Sequence, residues 1–321
     1  MIKRLGLLTS GGDAPGMNAA IRAVVRACDY HNIPCLGIRR GYNGLINGDA
    51  IEMDKKSVNG IISKGGTILY TARCPEFVTE EGQKKAASTC KYLGVDGIIA
   101  IGGDGTFRGA RDLSALGVST VCIPGSIDND IACTHYSIGF DTACNTAVEA
   151  VDKLRDTMQS HERCSIVEVM GRRSGHLALY VGISVGATAI LVPEQPFDFD
   201  RDVVERIRQG RVRDKNHFII IVAEGVGNTM EVAERIHAET GIDARVTTLG
   251  HIQRGGSPTA RDRVTASRMG EYAVSIMLEG KTNRVVSQFN SEIVDMDITE
   301  ALAMKKPLQE TMYQTAQILS Y

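Results

Sequence analysis

Short apolar strands that alternate with segments of helical periodicity restrict the fold of this chain more than any other feature of its sequence. The first strand is predicted over 4–9, "RLGLLT", and a helix with an apolar stripe follows over 17–28. A longer helix with the same periodicity is predicted over 142–160. The predicted strands are apolar along their whole length, which is typical of strands buried on both faces. The pattern therefore predicts an α/β fold in which helices cover both faces of a mainly parallel sheet.

The other predicted elements continue this alternation. A strand in "GIIAIGG" precedes a helix that is predicted from about 106 to 116. Further strands are predicted over 120–125, 165–171, 189–194, 217–225 and 245–252. The length of 321 residues favours two domains, although the composition marks no boundary between them.

Charge and cysteine content exclude several classes of protein. The 36 Lys and Arg residues against 38 Asp and Glu residues argue against general binding to nucleic acid or to a membrane surface. No apolar run reaches about 18 residues, and the N-terminal apolar run is too short for a signal peptide. The eight cysteines form no C-x-x-C pair, so we expect reduced, mostly buried thiols rather than a zinc site or disulfides. These features predict a cytoplasmic protein.

Polar clusters at the ends of the predicted strands are the strongest functional signal. In open α/β sheets, ligands bind beyond the carboxyl ends of the strands. The clusters are "TSGGDAPG" (9–16), "GGDGT" (102–106), "PGSIDND" (124–130), "MGRRSG" (170–175), "AEG" (223–225) and "GHIQRGG" (250–256). We therefore expect the clusters to build the binding site.

The first two clusters have the composition of phosphate sites. Their glycines would let main-chain N–H groups approach a phosphate at the N-terminus of a helix, and we expect Pro15 in the first turn of the first helix. A tight turn from strand to helix explains Gly11 and Gly12 equally well. Neither G-x-G-x-x-G nor G-x-x-x-x-G-K-[ST] occurs, which excludes the Rossmann and Walker motifs.

Carboxylates in two clusters suggest a metal and a base. Asp104 among phosphate-binding amides would need a cation, for which Mg²⁺ is the usual choice, or it caps the helix expected near Thr106. Asp128 and Asp130 could act as a base and its orienting or metal-linked partner. The alternative for this second pair is a solvated acidic turn.

Three arginines suggest several phosphates. Arg73, Arg172 and Arg254 each follow an apolar stretch and lie beside glycine or proline, where the guanidinium group suits bidentate contact with phosphate. One such arginine is usually a surface residue, whereas three indicate a shared anionic ligand. For His251, a hydrogen bond within the core is favoured over phosphate binding.

Five of these motifs together resemble the bacterial ATP-dependent phosphofructokinases of glycolysis: "TSGGDAPGMNAAIR", "GGDGT", "PGSIDND", "MGRRSG" and "LGHIQRGGSP". The resemblance implies two three-layer, Rossmann-like α/β domains with mainly parallel sheets, the phosphofructokinase fold. It places an ATP-binding domain at 1–139 plus 252–305 and a fructose 6-phosphate-binding domain at 140–251 plus 306–321. It also implies a homotetramer whose substrate and effector sites are completed by neighbouring subunits.

The resemblance implies a role for each site residue. Asp128 would be the base, Arg172 and Mg²⁺ would stabilise the moving phosphoryl group, Asp130 would support the metal or the base, and Ser126 would complete the catalytic set. The implied ATP-binding residues are Gly12, Tyr42, Arg73, Cys74, Gly103, Asp104, Gly105 and Thr106, with Asp104 as the Mg²⁺ ligand.

The substrate and effector sites follow in the same way. The implied substrate residues are Ser126, Asp128, Arg163, Met170, Gly171, Arg172, Glu224, Arg245, His251 and Arg254, with Arg163 and Arg245 reaching the 6-phosphate of the adjacent subunit. The implied residues for the effectors ADP or phosphoenolpyruvate are Arg22, Arg26, Lys55, Arg155, Gly186, Arg213 and Lys215.

The chain departs from the family pattern at a few positions. Ser126 replaces threonine, and Cys74 and Val78 replace an aromatic residue and an arginine near the adenine. In the effector site Lys55 replaces an arginine, Asn216 replaces a lysine and Thr188 replaces a glutamate. The effector departures predict weak or altered allostery.

Three rival functions are weighed against specific residues. Pyrophosphate-dependent relatives typically carry an acidic residue in place of Gly105 and a lysine in place of Gly125, which favours ATP here. NAD and diacylglycerol kinases share "GGDGT" but lack "GHIQRGG". A silent regulatory subunit is expected to have lost the base or the transition-state arginine, whereas Asp128 and Arg172 are both present.

Overall fold

The computed structural model describes residues 2–320 and divides the chain into two compact units. The first unit comprises Met1–Ile127, Ile131–Thr142 and Arg254–Lys306, and the second comprises Asp128–Asp130, Ala143–Gln253 and Pro307–Tyr321. Each unit contains one sheet. The chain leaves the first unit and returns to it, so neither unit is a continuous stretch of sequence.

Eleven strands form the two sheets within residues 2–320. They are β1 Leu5–Thr9, β2 Cys35–Ile38, β3 Ala50–Met53, β4 Gly97–Gly102, β5 Ser119–Pro124, β6 Cys164–Val169, β7 Ala189–Leu191, β8 Phe218–Ala223, β9 Ala244–Thr248, β10 Arg284–Phe289 and β11 Glu292–Asp297. The first sheet has the order β11-β10-β5-β4-β1-β2-β3, and the second has the order β7-β8-β6-β9.

Eleven α-helices connect and cover these strands in the same part of the chain. They are α1 Met17–Tyr30, α2 Gly41–Asn47, α3 Glu80–Tyr92, α4 Asp104–Ala115, α5 Phe140–His161, α6 His176–Ser184, α7 Glu205–Val212, α8 Thr229–Thr240, α9 Ala260–Leu278, α10 Ile298–Ala303 and α11 Glu310–Leu319. Side chains of Thr79, Asn228, Thr259 and Asp297 accept hydrogen bonds at the N-termini of α3, α8, α9 and α10, which satisfies main-chain donors that the helix itself leaves unpaired.

The central strands are buried because both faces of each sheet are covered. Every residue of β1, β4 and β8 is buried. Strand pairing is parallel throughout the second sheet and antiparallel only at the two edges of the first, where β3 pairs with β2 and β11 with β10. Both units have a hydrophobic cluster of their own, one around Ile98 and Phe107 and one around Ile220 and Phe218. The predicted mainly parallel α/β fold is therefore confirmed.

Some local predictions are wrong. Pro15 lies before α1 rather than in its first turn, because the left-handed residue Gly16 (φ +106°) precedes the helix start at Met17. A side chain at Gly16 would also meet Ile138, since an added Cβ would lie 2.6 Å from Ile138 Cγ2. Asp104 is the first residue of α4 and does not cap it; the residue at the cap position is Gly103. Among residues 2–320, no helix is both long and apolar enough to cross a membrane.

Candidate active site

The carboxyl ends of three neighbouring strands bring the first clusters together in the first unit. β1 pairs with β4, so that Thr9 lies opposite Ile101, and β4 pairs with β5, so that Gly102 lies opposite Pro124. The segments after Thr9, Gly102 and Pro124 therefore start side by side at one edge of the sheet, as the sequence predicted for a ligand site.

Gly102 allows the first two loops to approach closely. A Cβ at this position would lie 2.3 Å from the carbonyl oxygen of Ser10 and 2.3 Å from Thr106 Oγ1, so only glycine fits. The Thr106 hydroxyl donates a hydrogen bond of 3.1 Å to the same Ser10 oxygen. Thr106, predicted to bind ATP, is itself buried and ties the start of α4 to the loop after β1.

Gly12 lies directly against an arginine. A Cβ at Gly12 would be 2.4 Å from Arg254 Nη1, and this nitrogen donates a hydrogen bond of 3.2 Å to the carbonyl oxygen of Asp13. The structure thus places Arg254, which was predicted to bind the 6-phosphate, beside the first glycine loop. The guanidinium group adds positive charge where main-chain N–H groups are expected to receive a phosphate.

Tyr42 is buried behind the same loops. Its ring stacks on Phe77 with 4.1 Å between the centroids, and its hydroxyl donates a hydrogen bond of 2.6 Å to the carbonyl oxygen of Thr106. Burial raises the pKa of this phenol well above its usual range, so it stays protonated as a donor. Tyr42 therefore fixes the first turn of α4.

The segment that carries Arg73 and Cys74 is tied to the loop after β1. Thr71 donates a hydrogen bond of 2.7 Å to the carbonyl oxygen of Gly11. Arg73 is exposed, Cys74 is half-buried and packs against the first hydrophobic cluster, and Val78 is 81% exposed. A ligand on the glycine loops would thus have Arg73 and a small thiol near it, with an apolar Val78 side chain open to solvent.

The surroundings of Asp104 fit a hydrated magnesium ion that is bound to nucleotide phosphates. The Asp104 side chain is exposed at the N-terminus of α4, and added Cβ atoms at Gly103 and Gly105 would have no other heavy atom within 4 Å. Mg²⁺ usually takes one or two protein carboxylates and completes its octahedron with phosphate oxygens and water. One exposed carboxylate at a helix N-terminus, flanked by two glycines that leave room for a ligand, meets that requirement.

The residues before the predicted base are held by a short parallel bridge. Gly125 pairs with Ile138, the N–H group of Ile138 donates to Pro124 at 3.1 Å, and the N–H group of Ser126 donates to Ile138 at 3.1 Å. The hydroxyl of Ser137 donates a further hydrogen bond of 2.7 Å to the Ser126 carbonyl oxygen. Ser126 is thus fixed on both sides of its main chain.

Within the second unit, Asp128 lies beside the "MGRRSG" segment, which contains Arg172. The hydroxyl of Ser174 donates a hydrogen bond of 3.0 Å to the main-chain oxygen of Asp128. Asp128 is half-buried, Asn129 is buried in the left-handed conformation (φ +48°), and Asp130 is exposed. The sharp turn at Asn129 separates the two carboxylates, so Asp128 and Asp130 have different surroundings.

Arg172 and Glu224 are brought together by glycine contacts. A Cβ at Gly225 would lie 2.3 Å from the main-chain oxygen of Arg172 and 3.1 Å from that of Gly171, so the turn after β8 packs directly on the "MGRRSG" segment. Gly171 itself is left-handed (φ +129°). Arg172 and Glu224 are both exposed. The carboxylate and the guanidinium group can therefore both reach a ligand that lies over these turns.

Gln253 connects the last cluster to the same place. Its side chain is fully buried, and Gln253 Oε1 accepts a hydrogen bond of 3.3 Å from the main-chain N–H of Met170. Gln253 Nε2 donates to the carbonyl oxygen of Gly250 at 3.0 Å. His251 is exposed, contrary to the hydrogen bond within the core that was favoured from the sequence. An exposed imidazole suits ligand binding.

Arg163 and Arg245 lie next to each other at the opposite, amino-terminal end of β6 and β9. Cys164 pairs with Ala244 across these strands, and the residues that precede them, Arg163 and Asp243, form an ion pair of 2.8 Å. Arg245 pairs with Asp243 at 2.9 Å. The structure does not bring this pair to the carboxyl ends of the strands, where Met170, Glu224 and His251 lie.

A cavity of about 210 Å³ in the second unit contains part of the predicted effector set. It is lined by Thr188, Arg206, Gln209, Gly210, Arg213, Lys215 and Ser320. Lys215 Nζ donates a hydrogen bond of 3.1 Å to Thr188 Oγ1. Burial, followed by the charge of Arg155, lowers the pKa of Lys215. Three cationic side chains without a carboxylate in the lining favour an anionic ligand.

The other predicted effector residues lie outside the lining of this cavity. In the first unit, Arg22 and Arg26 share one face of α1, and burial followed by the charge of Arg26 lowers the pKa of Arg22. Lys55 forms an ion pair of 3.6 Å with Asp29. In the second unit, Arg155 donates to the carbonyl oxygen of Val185, next to Gly186.

Sequence reasoning missed the residues that position the site. Ser174, Gln253 and Asp243 hold Asp128, Met170 and the arginine pair, respectively. Ser174 and Gln253 lie inside "MGRRSG" and "GHIQRGG", so the motifs pointed to their neighbourhood but not to their partners. Asp243 lies outside every motif and only its place before an apolar strand could have drawn attention to it.

Comparisons with known proteins show which proteins this chain is similar to. A family model described as Phosphofructokinase matches residues 4–277. The chain is 57% identical over 319 residues to ATP-dependent 6-phosphofructokinase 1 of Clostridium perfringens (strain 13 / Type A), with 99% of this chain and 100% of that protein covered. It is 56% identical over 320 residues to ATP-dependent 6-phosphofructokinase of Clostridium novyi (strain NT), with 100% of both covered.

Solved structures share the fold. Phosphofructokinase from Saccharomyces cerevisiae has a TM-score of 0.89 and 33% identity, and the match covers 99% of this chain but 46% of the yeast chain. A pyrophosphate-dependent phosphofructokinase from Marinobacter aquaeolei has a TM-score of 0.86 and 20% identity, covering 98% of this chain and 91% of that one. At that lower identity the second likeness concerns the fold alone.

Proposed function

The chain belongs to the phosphofructokinase family, and we infer that it transfers the γ-phosphoryl group of Mg·ATP to the 1-hydroxyl group of D-fructose 6-phosphate. The products are fructose 1,6-bisphosphate and ADP. One observation carries this inference: identities of 57% and 56% extend over the whole length of two proteins named ATP-dependent 6-phosphofructokinase. The glycine loops and the carboxylates at the strand ends support it with the chemistry that such a transfer needs.

We assign the nucleotide to the loops after β1 and β4 in the first unit and the sugar phosphate to the loops after β6 and β8 in the second unit. The ATP-binding domain is proposed at 1–139 plus 252–305 and the fructose 6-phosphate-binding domain at 140–251 plus 306–321. Open space around Gly103 and Gly105 supports nucleotide phosphates there, and the exposed carboxylate of Glu224 beside Arg172 supports sugar hydroxyls in the second unit.

In the proposed mechanism Asp128 takes the proton of the 1-hydroxyl group of the sugar. At the same time the hydroxyl oxygen forms a bond to the γ-phosphorus, and the bond between the γ-phosphorus and ADP breaks. The hydrogen bond from Ser174 holds the main chain of the base in place. Arg172, whose main chain is fixed by Gly225, would offset charge on the transferred group. Mg²⁺ held by Asp104 would neutralise phosphate charge when bound, and Asp130 would support the metal or the base.

The pyrophosphate-dependent alternative is disfavoured by two glycines. An added Cβ at Gly105 would meet no heavy atom within 4 Å, so the space beside Asp104 is open to an α-phosphate and a nucleoside. An added Cβ at Gly125 would lie 3.1 Å from Met17 Cε, so a lysine at position 125 would crowd the Met17 side chain. Both positions thus support ATP as the phosphoryl donor.

Assembly, regulation and location are proposed from the family. We propose a cytoplasmic homotetramer in which Arg163 and Arg245 complete the 6-phosphate site of a neighbouring subunit. The cavity lined by Arg213 and Lys215 supports binding of an anionic effector such as ADP or phosphoenolpyruvate. Neither nucleic acid nor a membrane is proposed as a partner, consistent with the balanced charge of the chain.

A coupled assay tests the function directly. The purified protein is supplied with Mg²⁺ and fructose 6-phosphate, and formation of fructose 1,6-bisphosphate is followed with ATP, with pyrophosphate, and with ATP plus a chelator. We expect turnover with Mg·ATP alone. Turnover with pyrophosphate and none with ATP would reverse the donor assignment, and no turnover with either donor would indicate the silent regulatory subunit.

A further inference from the structure

Asp262, in the first turn of α9, is a fully buried carboxylate that no ion pair accounts for among the described residues. Four hydrogen-bond donors surround it. Oδ1 accepts from the hydroxyl of Tyr136 at 2.6 Å and from the N–H of Gly139 at 2.7 Å, while Oδ2 accepts from the N–H of Thr142 at 2.9 Å and from the Thr142 hydroxyl. All four donors belong to the segment 136–142.

Burying this carboxylate costs desolvation free energy, which the four hydrogen bonds offset. Burial raises the pKa of Asp262, although the hydrogen bonds from Thr142, Tyr136 and Gly139 oppose that rise. The donors are fixed in turn: the Tyr136 ring lies under the guanidinium group of Arg261 at 4.3 Å. Buried polar networks of this kind hold a single conformation when every member is satisfied.

The segment that Asp262 holds is the one that supports the loop before the proposed base. Ile138 exchanges main-chain hydrogen bonds with Pro124 and Ser126 at 3.1 Å each, and Ser137 donates to Ser126 at 2.7 Å. These two residues lie between Tyr136 and Gly139, which both donate to Asp262. Ser126 in turn precedes Asp128 by two residues in the chain.

Asn is a poor substitute for Asp at this position. Gly139 and Thr142 present main-chain N–H groups that cannot reverse direction, so one of them would face the NH₂ group of an asparagine. A buried donor left without an acceptor costs the full desolvation penalty of that group. The network therefore requires a carboxylate with two acceptor oxygens.

We propose that Asp262 is a positioning residue for phosphoryl transfer. It fixes residues 136–142, which hold Pro124–Ser126, the stretch of main chain that leads directly into Asp128. The proposal rests on the proposed function in that Asp128 is taken as the base. Because a displacement of about 1 Å can lower a rate about 100-fold, loss of this support acts mainly on kcat.

The test compares Asp262→Asn with Asp295→Asn. Asp295 is a matched control, since its nearly buried carboxylate also accepts from a tyrosine, Tyr272, at 2.9 Å and lies in the first unit outside the 124–142 segment. kcat and both KM values are measured for each variant and the wild type, with the thermal midpoint. Amide hydrogen exchange of peptides that cover 124–142 gives a readout independent of activity.

We expect Asp262→Asn to lower kcat at least about 10-fold with both KM values within about threefold, and to increase exchange over 124–142. Asp295→Asn should lower the thermal midpoint but keep kcat within about twofold and exchange over 124–142 unchanged. Equal effects of the two variants on kcat, or a kcat loss in Asp262→Asn without faster exchange in 124–142, would overturn the proposal.

Two further measurements cover the cases in which Asp262→Asn does not fold or the wild-type protein has no kinase activity. If Asp262→Asn does not fold, Tyr136→Phe removes one of the four donors and keeps the ring; a fully active Tyr136→Phe with unchanged exchange would then contradict the proposal, and a kcat loss with faster exchange would support it. If the wild-type protein shows no kinase activity, the proposed function fails, whereas the exchange data still decide whether Asp262 holds the 124–142 segment.

Discussion

Arg163 and Arg245 contact the same carboxyl oxygen, Oδ2 of Asp243, at 2.8 and 2.9 Å. The register of β6 and β9 places the three residues together, because Cys164, which follows Arg163, pairs with Ala244, which lies between Asp243 and Arg245. The two arginines are 33% and 58% exposed in their side chains, so the shared carboxylate orients two guanidinium groups that solvent still reaches. An oriented, exposed arginine pair is suited to receive a phosphate from outside the subunit.

Replacement of Asp243 should weaken binding of fructose 6-phosphate and leave the chemistry intact. Ordering a long side chain costs about 0.5–1.5 kcal/mol, so two arginines released from Asp243 must pay this cost on binding. Together the two arginines would cost about 1–3 kcal/mol, so we expect Asp243→Asn to raise KM for fructose 6-phosphate about fivefold or more with kcat nearly unchanged. Asp200→Asn, which removes the partner of Arg235 at 3.3 Å in the same unit, is the control and should change neither constant. A lower KM in Asp243→Asn would show that the carboxylate repels the phosphate instead.

Hybrid oligomers test whether these arginines serve a neighbouring subunit. Arg163→Ser and Asp128→Ser subunits should each be nearly inactive alone. When they are mixed, some sites should combine an intact base with an intact arginine, so activity should partly return. Native mass spectrometry verifies the hybrids, and either variant unfolded and reassembled with itself is the control. Verified hybrids that stay inactive would argue that each site is built from one chain.

Loss of the proposed base should affect turnover far more than binding. A positioned base commonly contributes ~10²–10⁴-fold, and the proton moves only near the transition state. We therefore expect Asp128→Ser to lower kcat by that factor while KM for both substrates changes little. Asp130→Ser, two residues along and exposed, should lower kcat less. Steady-state kinetics at saturating substrate decides, and a variant that keeps most of its turnover would place the base elsewhere.

The sequence alone predicted the strand-and-helix alternation and the clusters that form the site. Parallel strands bring their carboxyl ends to one edge, so clusters after β1, β4 and β5 become neighbours without any knowledge of side-chain contacts. Strands β2, β3, β10 and β11 were not predicted. In β3 and β11 exposed residues interrupt the apolar pattern, as in "AIEM" and "EIVDMD", whereas β2 is buried but only four residues long. A run that short offers too few residues for its periodicity to be recognised.

Contacts between distant parts of the sequence could not be predicted in the same way. Asp262 accepts from Thr142, which is 120 residues away, and Gln253 accepts from Met170, which is 83 residues away. A motif indicates which main chain is special but not which buried side chain will hold it. Pro15 illustrates the limit at short range, since the glycine after it, and not the proline, decides where α1 begins.

The acid stability of the protein should depend on Asp295. Burial raises the pKa of this carboxyl, but hydrogen bonds from Lys281, Tyr272 and Arg284 outweigh burial and lower it below its usual range. A depressed carboxyl pKa contributes stability above the unfolded pKa of about 3.9, and that contribution is lost as the pH falls through the folded pKa. We expect Asp295→Asn to lower the thermal midpoint at pH 7 and to narrow its gap from the wild type below about pH 4. A gap that is constant from pH 7 to pH 3 would contradict this linkage.

The last prediction concerns regulation and rests on Thr188. This residue is buried directly before β7, where its hydroxyl accepts a hydrogen bond of 3.1 Å from Lys215 in the cavity lined by Arg206, Arg213 and Lys215. The resemblance to the regulated phosphofructokinases implies a glutamate at this position, one that would meet the effector's magnesium and discriminate activator from inhibitor. A neutral hydroxyl keeps the cavity attractive to anions but gives ADP and phosphoenolpyruvate no carboxylate that could tell them apart.

A ligand that binds two conformational states equally does not shift the equilibrium between them. We therefore expect ADP and phosphoenolpyruvate to bind this protein while changing the half-saturating concentration of fructose 6-phosphate less than about twofold. Thr188→Glu should restore opposite shifts of about fivefold or more, the lower end of common allosteric couplings. Thr188→Gln, which is similar in size but neutral, is the matched control and should behave like the wild type. Fructose 6-phosphate saturation curves with and without each ligand measure the shifts, and calorimetry verifies binding. Strong, opposite shifts in the wild-type protein would show that the hydroxyl of Thr188 suffices for discrimination.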